Sequence, residues 1–124
     1  MGISNSRVLI TGGTGQIGCS LAEQLLKENV RKVILFDNLM SGAQKNVGEI
    51  AKNLKVELFE GDVTHIQDLK KAMKVVDYIF HLASLMTLHS YSNPRSLLEV
   101  NVNGTYNVLE TSGEMGIRKI IFSV

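Results

Sequence analysis

Residues 7–18 read Arg7-Val8-Leu9-Ile10-Thr11-Gly12-Gly13-Thr14-Gly15-Gln16-Ile17-Gly18, and this stretch decides the fold. An apolar run enters a glycine-rich turn, and an amphipathic helical pattern follows at once. Glycines 12, 13 and 15 leave no Cβ in the way of a tight turn. The first N–H groups of the next helix then face an anion, helped by the helix dipole. Gly18, one turn in, lets that helix pack close to the strand. Residues 13, 15 and 18 spell G-x-G-x-x-G, and residues 12, 15 and 18 spell G-x-x-G-x-x-G. Alone, such a pattern is weakly specific. A strand before it and a helix after it make it a diphosphate cradle.

Working outward, apolar runs predict five strands, at residues 6–11, 31–37, 55–60, 76–82 and 118–124. Four helical patterns lie between them, at 16–29, about 44–53, 65–74 and about 94–114. In the first, Ile17, Leu21 and Leu25 share a face with Ala22 and Leu26, and Asn29 follows the end. Thr64 is placed to cap the third. Pro94 suits the first turn of the fourth, Leu98, Val102, Thr105 and Leu109 form its apolar positions, and Gly116 stops it. Strands alternating with helices mean right-handed crossovers and a parallel sheet. The fold class expected is α/β, a Rossmann-type doubly wound sheet of five strands in order 3-2-1-4-5, with a switch point between strands 1 and 4. Residues 1–124 form one domain.

Composition narrows the function classes. Apolar residues are 44% and charged residues 20%, with a formal net charge of +1. That balance gives no electrostatic case for nucleic acid or an anionic membrane. No apolar run approaches the roughly 20 residues of a membrane span, and the polar start lacks a signal-peptide core. The single cysteine, Cys19, precludes an internal disulfide and suits a reducing, cytoplasmic compartment. It reads as a packing residue, since no histidine or acid is spaced to make it a nucleophile.

Chemistry gathers at the ends of the strands. Asp37 lies at the end of strand 2, about 20 positions beyond Gly18, where an acid accepts from the adenosine ribose hydroxyls and repels a 2′-phosphate. The cofactor indicated is NAD rather than NADP. Asp62, after Gly61, ends strand 3 at the same sheet edge and is placed to accept from an adenine amino group. His81-Leu82-Ala83-Ser84 ends strand 4, where small side chains let backbone run beside the pyrophosphate and the nicotinamide ribose. His81 reads as a hydrogen-bonded core or rim residue. His65 and His89 read as surface residues, and the histidine spacing does not suit a metal. Asn101, mid-helix near the carboxyl edge of the sheet, requires a partner if buried. It is placed either to tie its helix to the strand 4 loop or to touch substrate.

Together these residues resemble the extended short-chain dehydrogenase/reductase superfamily, in its NAD-dependent epimerase/dehydratase branch. The motifs are Thr11-Gly12-x-x-Gly15-x-x-Gly18, Asp37-Asn38-Leu39, Gly61-Asp62-Val63, His81-Leu82-Ala83 and Asn101-Val102-Asn103-Gly104-Thr105. Gln16 stands where the smaller short-chain dehydrogenases require glycine. Residues 37–42 look like the adenosine loop of UDP-glucose 4-epimerases and related nucleotide-sugar enzymes. Gly15-Gln16-Ile17-Gly18 is similar to threonine dehydrogenases of the superfamily. The resemblance implies that Gly12, Gly15, Gln16 and Ile17 hold the pyrophosphate of NAD. It assigns Asp37 and Asn38 to the adenosine ribose, and Asp62 and Val63 to adenine. Leu82, Ala83 and Ser84 line the nicotinamide side, and Asn101 touches the same region. The family's catalytic Tyr-x-x-x-Lys follows strand 5. Here Tyr78, Tyr91 and Tyr106 are followed four residues later by Leu82, Arg95 and Glu110. Ser123 falls at the first serine of that later segment. The resemblance therefore implies the amino-terminal, cofactor half of a nucleotide-sugar enzyme, truncated after strand 5. That half is expected to be inactive alone, with an apolar strand 5 edge inviting self-association or a partner. The alternative is a non-catalytic dinucleotide-binding module or sensor.

Overall fold

Val8, Leu9 and Ile10 are consecutive, fully buried and β-branched or large, as a strand covered on both faces requires. In the computed structural model, which describes residues 2–40, 46–84 and 92–122, they form β1 (Arg7–Thr11). The other strands are β2 (Lys32–Asp37), β3 (Val56–Glu60), β4 (Tyr78–His81) and β5 (Lys119–Phe122). All pair in parallel, in the order β3-β2-β1-β4-β5. Thr11 lies opposite Phe36 on one side and His81 on the other. The expected switch point is thus present: the chain passes from β1 to β2 on one side and later returns to β4 on the other.

Alternation along the strands divides the core. Val8, Ile10, Val33 and Leu35 face helix α1 (Gln16–Lys27), meeting Cys19, Ala22 and Leu25. Leu9, Ile34, Phe36 and Ile79 face the opposite layer, with Leu69 and Ala72 of α2 (Ile66–Ala72), Met73 at its C-cap, and Val108. Phe36 and Phe59 stack at 5.6 Å between ring centroids.

Several expectations are corrected. The helix expected over 44–53 is a short 3-10 helix, Gly48–Lys52. Of the residues expected on its inner face, Val47 and Ile50 are buried and Ala51 is exposed, and residues 41–45 lie outside the described residues. Thr64 does not cap α2. His65 occupies the cap without a side-chain bond, while the Thr64 hydroxyl and N–H donate to Asp62 Oδ1 at 2.6 and 2.8 Å. The helix expected over 94–114 has three parts: α3 (Pro94–Leu98), a π-helical segment (Glu99–Gly104) and α4 (Thr105–Met115). Pro94 does open it, below an Asn93 side chain that accepts from the Ser96 N–H, and Gly116 closes it at φ +71°. Leu98 and Val102, expected inside, are both 55% exposed, and Leu109 is exposed too. The inward face is Gly104, Val108, Thr111 and Ser112. A Cβ on Gly104 would lie 2.6 Å from Val63 Cγ2, so this close approach excludes a side chain.

Candidate cofactor site

The glycine turn joins the end of β1 to α1 beside the end of β2. The Gly12 and Gly13 N–H groups both donate to the Phe36 carbonyl, at 2.8 and 3.2 Å. Three of the glycines serve the fold itself. A Cβ on Gly12 would lie 2.9 Å from Ala83 N, on Gly13 2.8 Å from Leu35 Cα, and on Gly18 2.7 Å from Gly12 O. Gly15 differs. A Cβ there would meet only Gly12 O, at 3.3 Å, and Gly15 borders an open cleft. Gly15 is also the N-cap of α1, with no side-chain cap and no acidic residue in the first turn. Gln16 and Ile17 are exposed there, and their N–H groups are among those a helix leaves without an internal partner. Ile17, expected on the inner face of α1, is 70% exposed.

Asp37 is locked in place. Its Oδ2 accepts from the Thr14 N–H of the glycine turn at 3.1 Å, and its Oδ1 from the Leu39 N–H at 2.8 Å. Each carboxylate oxygen keeps further acceptor capacity. Leu39 takes a left-handed φ of +63°, which turns the chain sharply after the acid, and Asn38 Oδ1 accepts from Met40 N–H. At the end of β3, Asp62 has its Oδ1 occupied by Thr64, and its N–H donates to Asp68 Oδ2 at 3.1 Å. Val63 is buried against Gly104, and its carbonyl accepts from Asn107 Nδ2 at 3.0 Å.

These residues enclose a cleft of about 240 Å³ at the carboxyl ends of the strands. Gly12, Gly15, Asp37, Asn38, Asp62 and Val63 line one part of it, and Leu82, Ala83 and Ser84 another. Phe36, Met40, Gly61 and Val100 complete the lining. The open space at Gly15 lies beside the anchored Asp37 carboxylate, so unpaired helix N–H groups and a free acceptor share one cleft. Among the described residues no cluster of three or more metal-ligating side chains occurs, and no helix is long and apolar enough to cross a membrane.

Residues 9–124 match the model of the 3-beta hydroxysteroid dehydrogenase/isomerase family. The chain belongs to this family. That places it within the NAD-dependent epimerase/dehydratase branch its motifs resemble. UDP-glucuronic acid decarboxylase 6 of Arabidopsis thaliana is 34% identical over 97% of this chain and 34% of its own length. A putative UDP-glucose 4-epimerase of Methanocaldococcus jannaschii is 32% identical over 94% of the chain and 37% of its own length. The crystal structure of Bordetella bronchiseptica WbmF in complex with NAD+ superposes with a TM-score of 0.87, at 28% identity over the whole chain and 37% of WbmF. The chain thus spans about a third of the length of the relatives it matches.

Within this family member the remaining expected residues fall as follows. Asn101 is not among the residues lining the cleft, and its neighbour Val100 is. The Asn101 carbonyl accepts from the Thr105 hydroxyl at 2.8 Å. His81 is buried between Thr11 and Thr105, with ring nitrogens 2.7 and 3.0 Å from their hydroxyl oxygens, and burial lowers its pKa. The Cys19 thiol is buried, donates to Gly13 O, and is pushed up by burial and then by the charges of Glu23 and Asp37. Tyr106 donates to Glu110 Oε2 at 2.8 Å, which raises its pKa, the opposite of what a proton-abstracting tyrosine needs. His89, Tyr91 and Ser123 lie outside the described residues. Residue-by-residue reading missed Thr14, Phe36 and Val100. Thr14 carries the N–H that anchors Asp37, and its own buried hydroxyl has no hydrogen-bond partner. No sequence signal marks a backbone donor, because any residue supplies one.

Proposed function

We propose that residues 1–124 form the NAD-binding domain of an NAD-dependent nucleotide-sugar epimerase or dehydratase. Gly12, Gly15, Gln16 and Ile17 receive the pyrophosphate, Asp37 and Asn38 the adenosine ribose, and Asp62 and Val63 the adenine. Leu82, Ala83 and Ser84 border the nicotinamide half, with Asn101 behind them. NAD supplies a hydride acceptor for a sugar carbon, and the residues of this chain bind and orient it. The observation that supports this reading most is the Asp37 carboxylate, anchored through the Thr14 N–H to the glycine turn. An acid so fixed favours two ribose hydroxyls and opposes a 2′-phosphate.

Calorimetric titration of the chain with NAD and NADP tests the proposal. NAD should bind tighter by about tenfold or more, and Asp37→Ala should lose that preference, in line with the roughly 1.5–3 kcal/mol of a hydrogen bond to a charged group. Equal affinities, or no binding, overturn it.

A second reading is a dinucleotide-binding module or sensor; Tyr78, Tyr91 and Tyr106 are followed four residues later by Leu82, Arg95 and Glu110, so none of them begins a Tyr-x-x-x-Lys. In this reading the chain holds NAD and a further segment or partner supplies the proton-transfer groups. The β5 edge, with Ile121 and Phe122 exposed, is the surface for that association or for a second copy. A buried cysteine outside any disulfide at Cys19 suits the cytoplasm.

A further inference from the structure

The ends of β4 and of the π-helical segment form two walls of the cleft, and one chain of hydrogen bonds joins them. Its direction can be deduced. Thr11 Oγ1 accepts the N–H groups of Ala83 at 3.1 Å and of Leu82 at 3.0 Å, the latter shared with the Thr11 carbonyl at 3.1 Å. A hydroxyl has two lone pairs and one proton. With both lone pairs engaged, its proton points to His81 Nδ1, 2.7 Å away. Nδ1 is therefore an acceptor, and the proton of the neutral ring sits on Nε2. Nε2–H donates to Thr105 Oγ1 at 3.0 Å, and the Thr105 proton goes to the Asn101 carbonyl at 2.8 Å. The chain of bonds runs from two backbone amides at the end of β4 to one carbonyl in the π segment.

One end of the chain touches the cleft directly, and the other stops one residue short of it. Leu82 and Ala83 line it on one side, and Val100, the residue before Asn101, lines it on another. A threonine that donates to the carbonyl four residues back loosens a helix locally, and π segments of this kind occur at functional sites. Gly12 packs directly against Ala83 N, so the same relay also backs the glycine turn.

We propose that Thr105 is a positioning residue for the cofactor, acting through His81 and Thr11 to fix the Leu82–Ala83 backbone against the π segment. The proposal rests on the NAD reading above. It assigns His81 as a neutral, single-tautomer spacer and not as a proton-transfer group.

The test uses the isotopically labelled 124-residue chain and its Thr105→Val and Thr105→Ser variants. In the wild type at neutral pH, nitrogen NMR should show His81 as the Nε2–H tautomer. Thr105→Val should speed amide exchange at Leu82 and Ala83 and weaken NAD binding, each by about 3–10-fold, the worth of one net hydrogen bond. Thr105→Ser, which keeps the hydroxyl, should restore both. The Nδ1–H tautomer in the wild type overturns the proposal, and that measurement stands even if Thr105→Val fails to fold. Unchanged NAD affinity in a folded Thr105→Val also overturns it. A wild type that shows the stated tautomer and exchange but binds no nucleotide overturns the NAD reading instead, and with it the cofactor role of Thr105.

Discussion

Gly15 separates binding from folding among the glycines of the turn. Gly12, Gly13 and Gly18 each face backbone within 3 Å of where a Cβ would stand, whereas Gly15 does not. Its φ of −69° and ψ of 170° are open to any residue. Gly15→Ala should therefore cost no more than about 1 kcal/mol of stability, the scale of a changed N-cap. It should weaken NAD binding by about tenfold or more, since the methyl group would project toward the cleft where the pyrophosphate is proposed to lie. Paired thermal melts and calorimetry check this, and a large loss of stability would show that the fold needs Gly15 after all. His81 yields a second prediction. Its pKa is lowered by burial from the ordinary value of 6.5. The unfolded chain therefore binds more protons than the folded one as pH falls below that value. The stabilising effect of the neutral ring is complete above about pH 7 and is lost as pH falls from roughly 6.5 toward the folded-state pKa. Denaturant midpoints at pH 7.5 and 5.5 should separate more for the wild type than for His81→Asn, which cannot titrate there. Equal separations would reject this.

At the scale of elements, legibility tracked how strongly each element depends on bulky apolar side chains. The buried strands and α1 announce themselves through Val, Ile and Leu runs, and Asp37 through its distance from the turn. The segment from Pro94 to Met115 does not. A 3.6-residue period assigns Leu98, Val102 and Leu109 to the inside, but the π turn at Glu99–Gly104 shifts the face that meets the sheet. What packs there is small, Gly104 with Thr111 and Ser112, and hydropathy carries no signal for such an interface. Ile17 misleads as well, since it falls on the helical period of the inner face yet is exposed in the first turn of α1. The contact at Gly104 has a measurable consequence. A methyl group there would meet Val63 Cγ2 at 2.6 Å, so Gly104→Ala should destabilise by about 1–3 kcal/mol through overpacking. In a freely adjustable helix the same change would be neutral or favourable. Urea unfolding distinguishes the two, and an unchanged or raised midpoint would mean that α4 and β3's exit loop can move apart.

For the whole molecule, the two sheet edges are unlike. At β3, Glu57 pairs with Lys32 at 2.6 Å and Glu60 adds a second carboxylate, so charge guards the edge. At β5, Ile121 and Phe122 are 38% and 41% exposed, with Phe122 meeting the His81 ring edge-on at 6.0 Å. Sedimentation of the chain should show mass rising with concentration, and Ile121→Lys should return it to a monomer. A wild type that stays monomeric at every concentration would remove the β5 edge as an association surface. The opposite property belongs to the middle of the sheet. β1 is flanked on both sides, and Val8, Leu9, Ile10 and Thr11 have no exposed surface. The glycine turn is the direct continuation of that strand. Its backbone is therefore held by folding, before any ligand arrives, and the dinucleotide proposed to bind there would lose little affinity to the entropy of ordering its own receptor.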